Sequence, residues 1–127
     1  MNTRFLHMIA GAAFLAACGG SNSSSNSSSA LCDKAVNAST SLEQKIAPCL
    51  PPGTTASTNL PTDVQTCQSQ IAQCNANDQA ILSDILDCFN GLPTCSTATQ
   101  TQFEEQASAC ATPGSGLSEA CKTATGF

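Results

Sequence analysis

The chain has 127 residues, with nine cysteines, one histidine, no tryptophan or tyrosine, and a formal charge of −5. Four Lys and Arg residues against nine Asp and Glu give no basic patch to neutralise phosphates, which argues against nucleic acid as a partner. Nor do they give a surface that would draw the chain to anionic lipid headgroups.

At the N-terminus, Arg4 supplies a positive charge ahead of an apolar run from Phe5 to Ala17, interrupted only by His7. A run of this length suits the apolar core of a secretory signal and is too short for a permanent transmembrane helix. It closes on Leu15-Ala16-Ala17-Cys18, followed by Gly19-Gly20. This resembles the lipobox of bacterial lipoproteins: a branched apolar residue, two small residues, and a cysteine that is acylated and becomes the new N-terminus. The resemblance implies residues 1–17 as signal peptide, cleavage before Cys18, and a membrane anchor of several acyl chains on Cys18, enough for stable attachment. Gly19, rather than Asp, at the next position implies sorting to the outer membrane. Cysteine parity agrees: nine would leave one thiol over in an exported protein, and assigning Cys18 to lipid leaves an even eight.

Behind the anchor, Gly19 to Ser29 is Gly, Ser and Asn throughout. Such a segment buries nothing and is expected to be a disordered tether, residues 18–30, with a reach of roughly 17–20 Å. Asn22-Ser23-Ser24 and Asn26-Ser27-Ser28 match the glycosylation sequon, a pattern of little weight behind a bacterial signal. With the signal removed, three lysines face nine carboxylates, a charge of −6.

Residues 31–127 have the length of one domain. Leu, Ile, Val and Phe make up 17 of these 97 residues, a share too small to hold a core without help. Four disulfides would supply that help, at roughly 2–4 kcal/mol each. The expected fold is all-α: a small disulfide-stapled bundle of four to five helices.

In chain order, a weak first helix is expected over 31–47, because Asn37-Ala38-Ser39-Thr40-Ser41 has poor helix propensity. Residues 51–61 read as a loop. A second helix follows Thr62-Asp63-Val64-Gln65, which has the form of a capping box, with Val64, Cys67, Ile71 and Cys74 on one stripe. The clearest helix spans 78–90, with Ile81, Leu82, Ile85, Leu86 and Phe89 on one side and Gln79, Asp84 and Asp87 on the other. Asn77 or Asp78 is placed to cap it. Asn90-Gly91-Leu92-Pro93 is placed to stop it, with Gly91 left-handed and Leu92 folding back. A fourth helix is expected over 101–111, with Phe103, Ala107 and Cys110 inward, and a short fifth over 117–124 after a linker at 113–116. No segment alternates strongly enough to predict a strand.

The eight domain cysteines are Cys32, Cys49, Cys67, Cys74, Cys88, Cys95, Cys110 and Cys121. Cys67 and Cys74, like Cys88 and Cys95, are seven residues apart, about 10.5 Å along a helix. An intact helix therefore stops Cys67 and Cys74 from bonding each other, since a disulfide needs alpha carbons within roughly 7 Å. If the second and third helices form a hairpin, Cys67 falls beside residues 86–88, so Cys67–Cys88 is the preferred pair among 105 connectivities. Together with Gly91-Leu92-Pro93-Thr94-Cys95, this spacing resembles that of small Cys-rich helical lipoproteins of myxobacteria, a likeness that implies architecture and carries no activity with it. Plant lipid-transfer proteins and elicitins are analogues of architecture only. The chain lacks the Cys-Cys and Cys-x-Cys steps of the first group, and it has eight domain cysteines where the second has six.

Chemistry is thinly represented. His7 leaves with the signal peptide, which removes histidine-based triads and metal sites. The cysteines are spaced too widely for a zinc site, so no metal or cofactor is expected. Asp84 with Asp87, and Glu104 with Glu105, are the carboxylate pairs a hydrolase could use. A solvated helix face is the simpler reading. Asn75-Ala76-Asn77-Asp78 faintly resembles a calcium loop but lacks its glycine and final glutamate; helix capping accounts for it better. Gly114-Ser115-Gly116 reads as linker. The expected function is a non-catalytic interaction or structural module of the cell envelope, with an envelope protein as partner. The alternative is a carrier of a small apolar ligand between the helices.

Overall fold

The computed structural model describes residues 25–127. Residues 1–24, on which the expected signal peptide, Cys18 and the first part of the expected tether fall, lie outside the described residues. Five α-helices form the domain: α1 (Ser25–Ile46), α2 (Val64–Ile71), α3 (Ala76–Gly91), α4 (Gln100–Ala111) and α5 (Glu119–Thr125). Short 3-10 helices follow α1 at Ala47–Cys49 and α4 at Thr112–Gly116, and there is no strand among the described residues.

Helix α1 begins at Ser25, so residues 25–30, expected to be tether, are helical. Leu31, Cys32, Ala35, Ala38, Ser39 and Leu42 are buried along one face and hold the helix against the core. Extension from an existing nucleus costs only the weak propensity of each added serine. The poor segment at 37–41 stays helical for the same reason, with Ala38 and Ser39 buried and the Thr40 hydroxyl donating to the Val36 carbonyl.

The helix ends differ in detail from expectation. Asp63, not Thr62, caps α2, its carboxylate accepting the Thr66 amide at 2.8 Å. Helix α3 starts two residues earlier than expected. Asn75 caps it, accepting the Asp78 amide at 3.0 Å while Asp78 accepts the Asn75 amide at 3.0 Å, a reciprocal capping box. Gly91 remains in the helix and does not become left-handed; among the described residues the positive-φ glycines are Gly53 and Gly126. Pro93 disfavours helical geometry at Leu92, whose extended backbone (ψ 142°) stops the helix without a left-handed glycine. The Leu92 side chain does turn inward and is buried. Helix α4 starts after Thr99, which makes no side-chain capping bond to it. The expected linker at 113–116 belongs to a 3-10 helix. Ser118 caps α5, and left-handed Gly126 closes it.

Helix α3 is central. It packs against α1, α4 and the second 3-10 helix, while α2 packs against α1 and α5. The core has two parts. One gathers Leu31, Ala35, Ile71, Leu82, Leu86 and Leu117 around Cys32–Cys67 and Cys74–Cys121; the other gathers Leu42, Leu92 and Phe103 around Cys95 and Cys110. Leu60, from the loop before α2, packs against both. A Ser39–Thr58 hydroxyl pair at 2.8 Å pins that loop to α1.

Candidate functional site

All eight domain cysteines are paired: Cys32–Cys67, Cys49–Cys95, Cys74–Cys121 and Cys88–Cys110, with alpha carbons 4.6–5.7 Å apart. Cys67–Cys88 is not formed. The expected hairpin would set α2 beside α3, but α1 takes that place and brings Cys32 onto the buried stripe of α2. Cys88 stands outside the buried stripe of α3, on an exposed flank, and meets Cys110 of α4. Cys67 and Cys74 do not bond each other, but the helix expected to hold them apart ends at Ile71; Cys67 leads to α1, and Cys74, beyond the helix end, leads to α5. The bridge Cys49–Cys95 spans sequence that overlaps each of the other three loops, so it interlocks the halves of the domain. Closing loops of 22–47 residues, each bridge restricts the unfolded chain by about 3–4 kcal/mol.

Beside Cys74–Cys121 lies a polar knot on Asp78, a carboxylate only 1% exposed. It accepts the Ser118 amide at 2.8 Å, the Ser118 hydroxyl at 2.7 Å and the Asn75 amide at 3.0 Å. The two Ser118 bonds, backbone first, hold the Asp78 carboxyl below the usual carboxylate range against the opposing effect of burial, and the Asn75 amide adds to them. Ser118 in turn accepts the Cys121 amide at 3.3 Å. Its hydroxyl is thus engaged as donor and as acceptor, which suits a joint between helices and not a nucleophile. The capping reading of Asn75–Asp78 therefore describes this corner. Ser118, forty residues away, was the part of the knot with no local signal.

The other carboxylates do not converge into a catalytic pair. Asp84 is exposed, and Asp87 takes the Lys34 ammonium at 2.9 Å, where Lys34 also donates to Ser83 at 2.8 Å. Glu105 is exposed, and Glu104 accepts the Gln100 side-chain amide at 3.0 Å. Asp63, held below the usual carboxylate range by the amide and hydroxyl of Thr66, serves its helix cap. Among the described residues, no three His, Cys, Asp or Glu side chains group as metal ligands.

An apolar cleft opens between α1, α2, α3 and the C-terminus, lined by Leu31, Leu60, Pro61, Ile71, Leu86 and Phe127 among others. It holds about 40 Å³, on the scale of a water molecule, whereas pockets for small organic ligands run to hundreds of cubic ångströms. Among the described residues no helix is long and apolar enough to cross a membrane. No family model, curated protein or solved structure matches the chain.

Proposed function

We propose that this chain is a lipid-anchored, non-catalytic module of the cell envelope, held at the outer membrane through acylated Cys18 and acting by contact with another envelope protein. The observation that carries the reading is the pairing of the domain cysteines. Four bridges use all eight from Cys32 to Cys121, so the ninth, Cys18, has no part in stapling the fold. It stands instead at the end of an apolar leader, after two small residues, where a lipoprotein carries its acylated cysteine.

The arrangement of polar groups agrees with a non-catalytic role. The buried carboxylate Asp78 and the hydroxyl of Ser118 are spent on joining helices, and Asp87 on an ion pair. The 40 Å³ cleft between the helices leaves little room for the alternative, a small apolar ligand or lipid held there. The larger hollow of about 420 Å³ beside Ala111, Gly114, Lys122 and Phe127 lies open at the surface and not between helices.

The anchor is tested by expressing the full chain in a Gram-negative host and taking the mass of its N-terminal peptide. A peptide beginning at Cys18 with a diacylglyceryl thioether, and an uncut precursor in the Cys18→Ala variant, are expected. An N-terminus elsewhere, with Cys18 unmodified, would contradict the reading. The partner is tested by in-cell crosslinking from exposed positions of α4. A reproducible crosslink to one envelope protein, lost on substitution of that face, is expected; crosslinks that scatter without preference from every face would contradict it.

A further inference from the structure

The four bridges differ in what they hold and in how easily they are reached. Three are buried at both cysteines or lie beside polar links between the elements they join. Cys32–Cys67 is buried at both ends, as is Cys74–Cys121, which lies beside the Asp78–Ser118 knot. Cys49–Cys95 sits where Lys45 donates to the Asn90 carbonyl and the Cys95 amide donates to the Lys45 carbonyl at 2.9 Å. The fourth, Cys88–Cys110, pairs an exposed cysteine with a buried one and closes the shortest loop, 22 residues.

Helix α4 depends on that fourth bridge. Its fully buried residues are Phe103 and Cys110, and no side-chain bond caps its N-terminus. The polar links that fasten the other elements, namely Lys34–Asp87, Lys45–Asn90, Asp78–Ser118 and Ser39–Thr58, leave α4 out. Before α4 the chain is fixed at Cys95, and after it by the 3-10 helix packed on α3. The segment 96–111 is therefore held at its start by Cys95 and latched near its C-terminal end by one disulfide with an exposed cysteine, Cys88–Cys110.

We propose that Cys88–Cys110 is a thiol-cleavable latch, and that opening it releases α4, with its Phe103, from the apolar cluster of Leu42 and Leu92 while the other three bridges keep the scaffold folded. A dithiol is the matching reductant. One of its thiolates attacks the Sγ of Cys88, the exposed residue of the pair, and Cys110 leaves as a thiolate and takes up a proton. The second thiol of the reductant then attacks the mixed disulfide and frees Cys88. The bridge gains two electrons and two protons, and the dithiol is oxidised to its cyclic disulfide.

The test is graded reduction of the folded chain with dithiothreitol, followed by alkylation, peptide mass mapping and amide hydrogen exchange. Cys88 and Cys110 should be alkylated first and together, with the other three bridges intact. Amide exchange should rise about a hundredfold in α4 and stay level in α1, α2 and α3. Earlier opening of any other bridge, or exchange rising across the whole domain once Cys88–Cys110 opens, would overturn the proposal. The Cys88→Ala, Cys110→Ala double variant should show the same local exchange without reductant. If that variant fails to fold, the three remaining bridges do not suffice to keep the scaffold, and the proposal falls as well.

Discussion

Asp78 near the start of α3 accepts both the backbone amide and the hydroxyl of Ser118, the residue that caps α5. One buried carboxylate thereby sets the entry of two helices distant in sequence, next to the disulfide Cys74–Cys121 that joins the same two regions. Charge-assisted bonds of this kind are the stronger class, and removing the acceptor leaves buried donors unmatched. Replacing Asp78 with Asn turns an amide N–H₂ toward one of those donors. The variant should melt about 10 °C below the native chain, whereas Asp84→Asn, at an exposed position, should melt within about 2 °C of it. Circular dichroism melts of the two variants check this.

The same carboxylate gives the domain an acid-sensitive stability. Asp78 and Asp63 titrate below their ordinary range in the folded chain, through hydrogen bonds from Ser118 and Thr66 respectively. The unfolded chain therefore binds more protons in this window, and stability rises with pH across it. The contribution is fully present above the unfolded carboxylate value of about 4 and is lost as pH falls through the lowered folded values. Urea midpoints should be level from about pH 7 to pH 5 and decline below about pH 4. The decline should be shallower in Asp78→Asn.

Helix α3 was the most legible part of the sequence, because five apolar residues at helical spacing and a proline stop act locally. The all-α class and the use of eight cysteines as staples were legible too, from composition and parity. The connectivity was not. Which cysteines meet depends on α1 lying across α2, and α1 was the weakest helix by propensity because its hold comes from burial of Leu31, Ala35 and Leu42 against other elements. Asn75–Asp78 was readable as a cap, but the partnership with Ser118 has no trace in the local pattern. Gly91 carried a familiar stop signal that Pro93 made unnecessary.

Ile85 is 1% exposed, at the centre of the buried face of α3. Truncation to Ala removes packing that a thin core cannot replace, and should cost about 2–5 kcal/mol in urea denaturation. By contrast, Lys34→Ala removes a partly exposed ion pair with Asp87 and a bond to Ser83, and should cost about 1 kcal/mol or less.

Gly114 is buried with the Phe127 ring against it, and a Cβ at this position would stand 2.5 Å from that ring. Phe127 is 41% exposed, so the ring has room to swing away. Gly114→Ala should displace Phe127, seen as a change in its aromatic proton shifts. The melting temperature should fall only about 2–5 °C.

The central claim is a partition of nine cysteines into one lipid anchor and four staples. Non-reducing peptide mass mapping of the full chain, extracted with detergent from the membranes of a Gram-negative host, tests both parts at once. The account predicts an acylated peptide beginning at Cys18 and four linked pairs, Cys32–Cys67, Cys49–Cys95, Cys74–Cys121 and Cys88–Cys110. A disulfide that includes Cys18, or a Cys67–Cys88 pair, would contradict it.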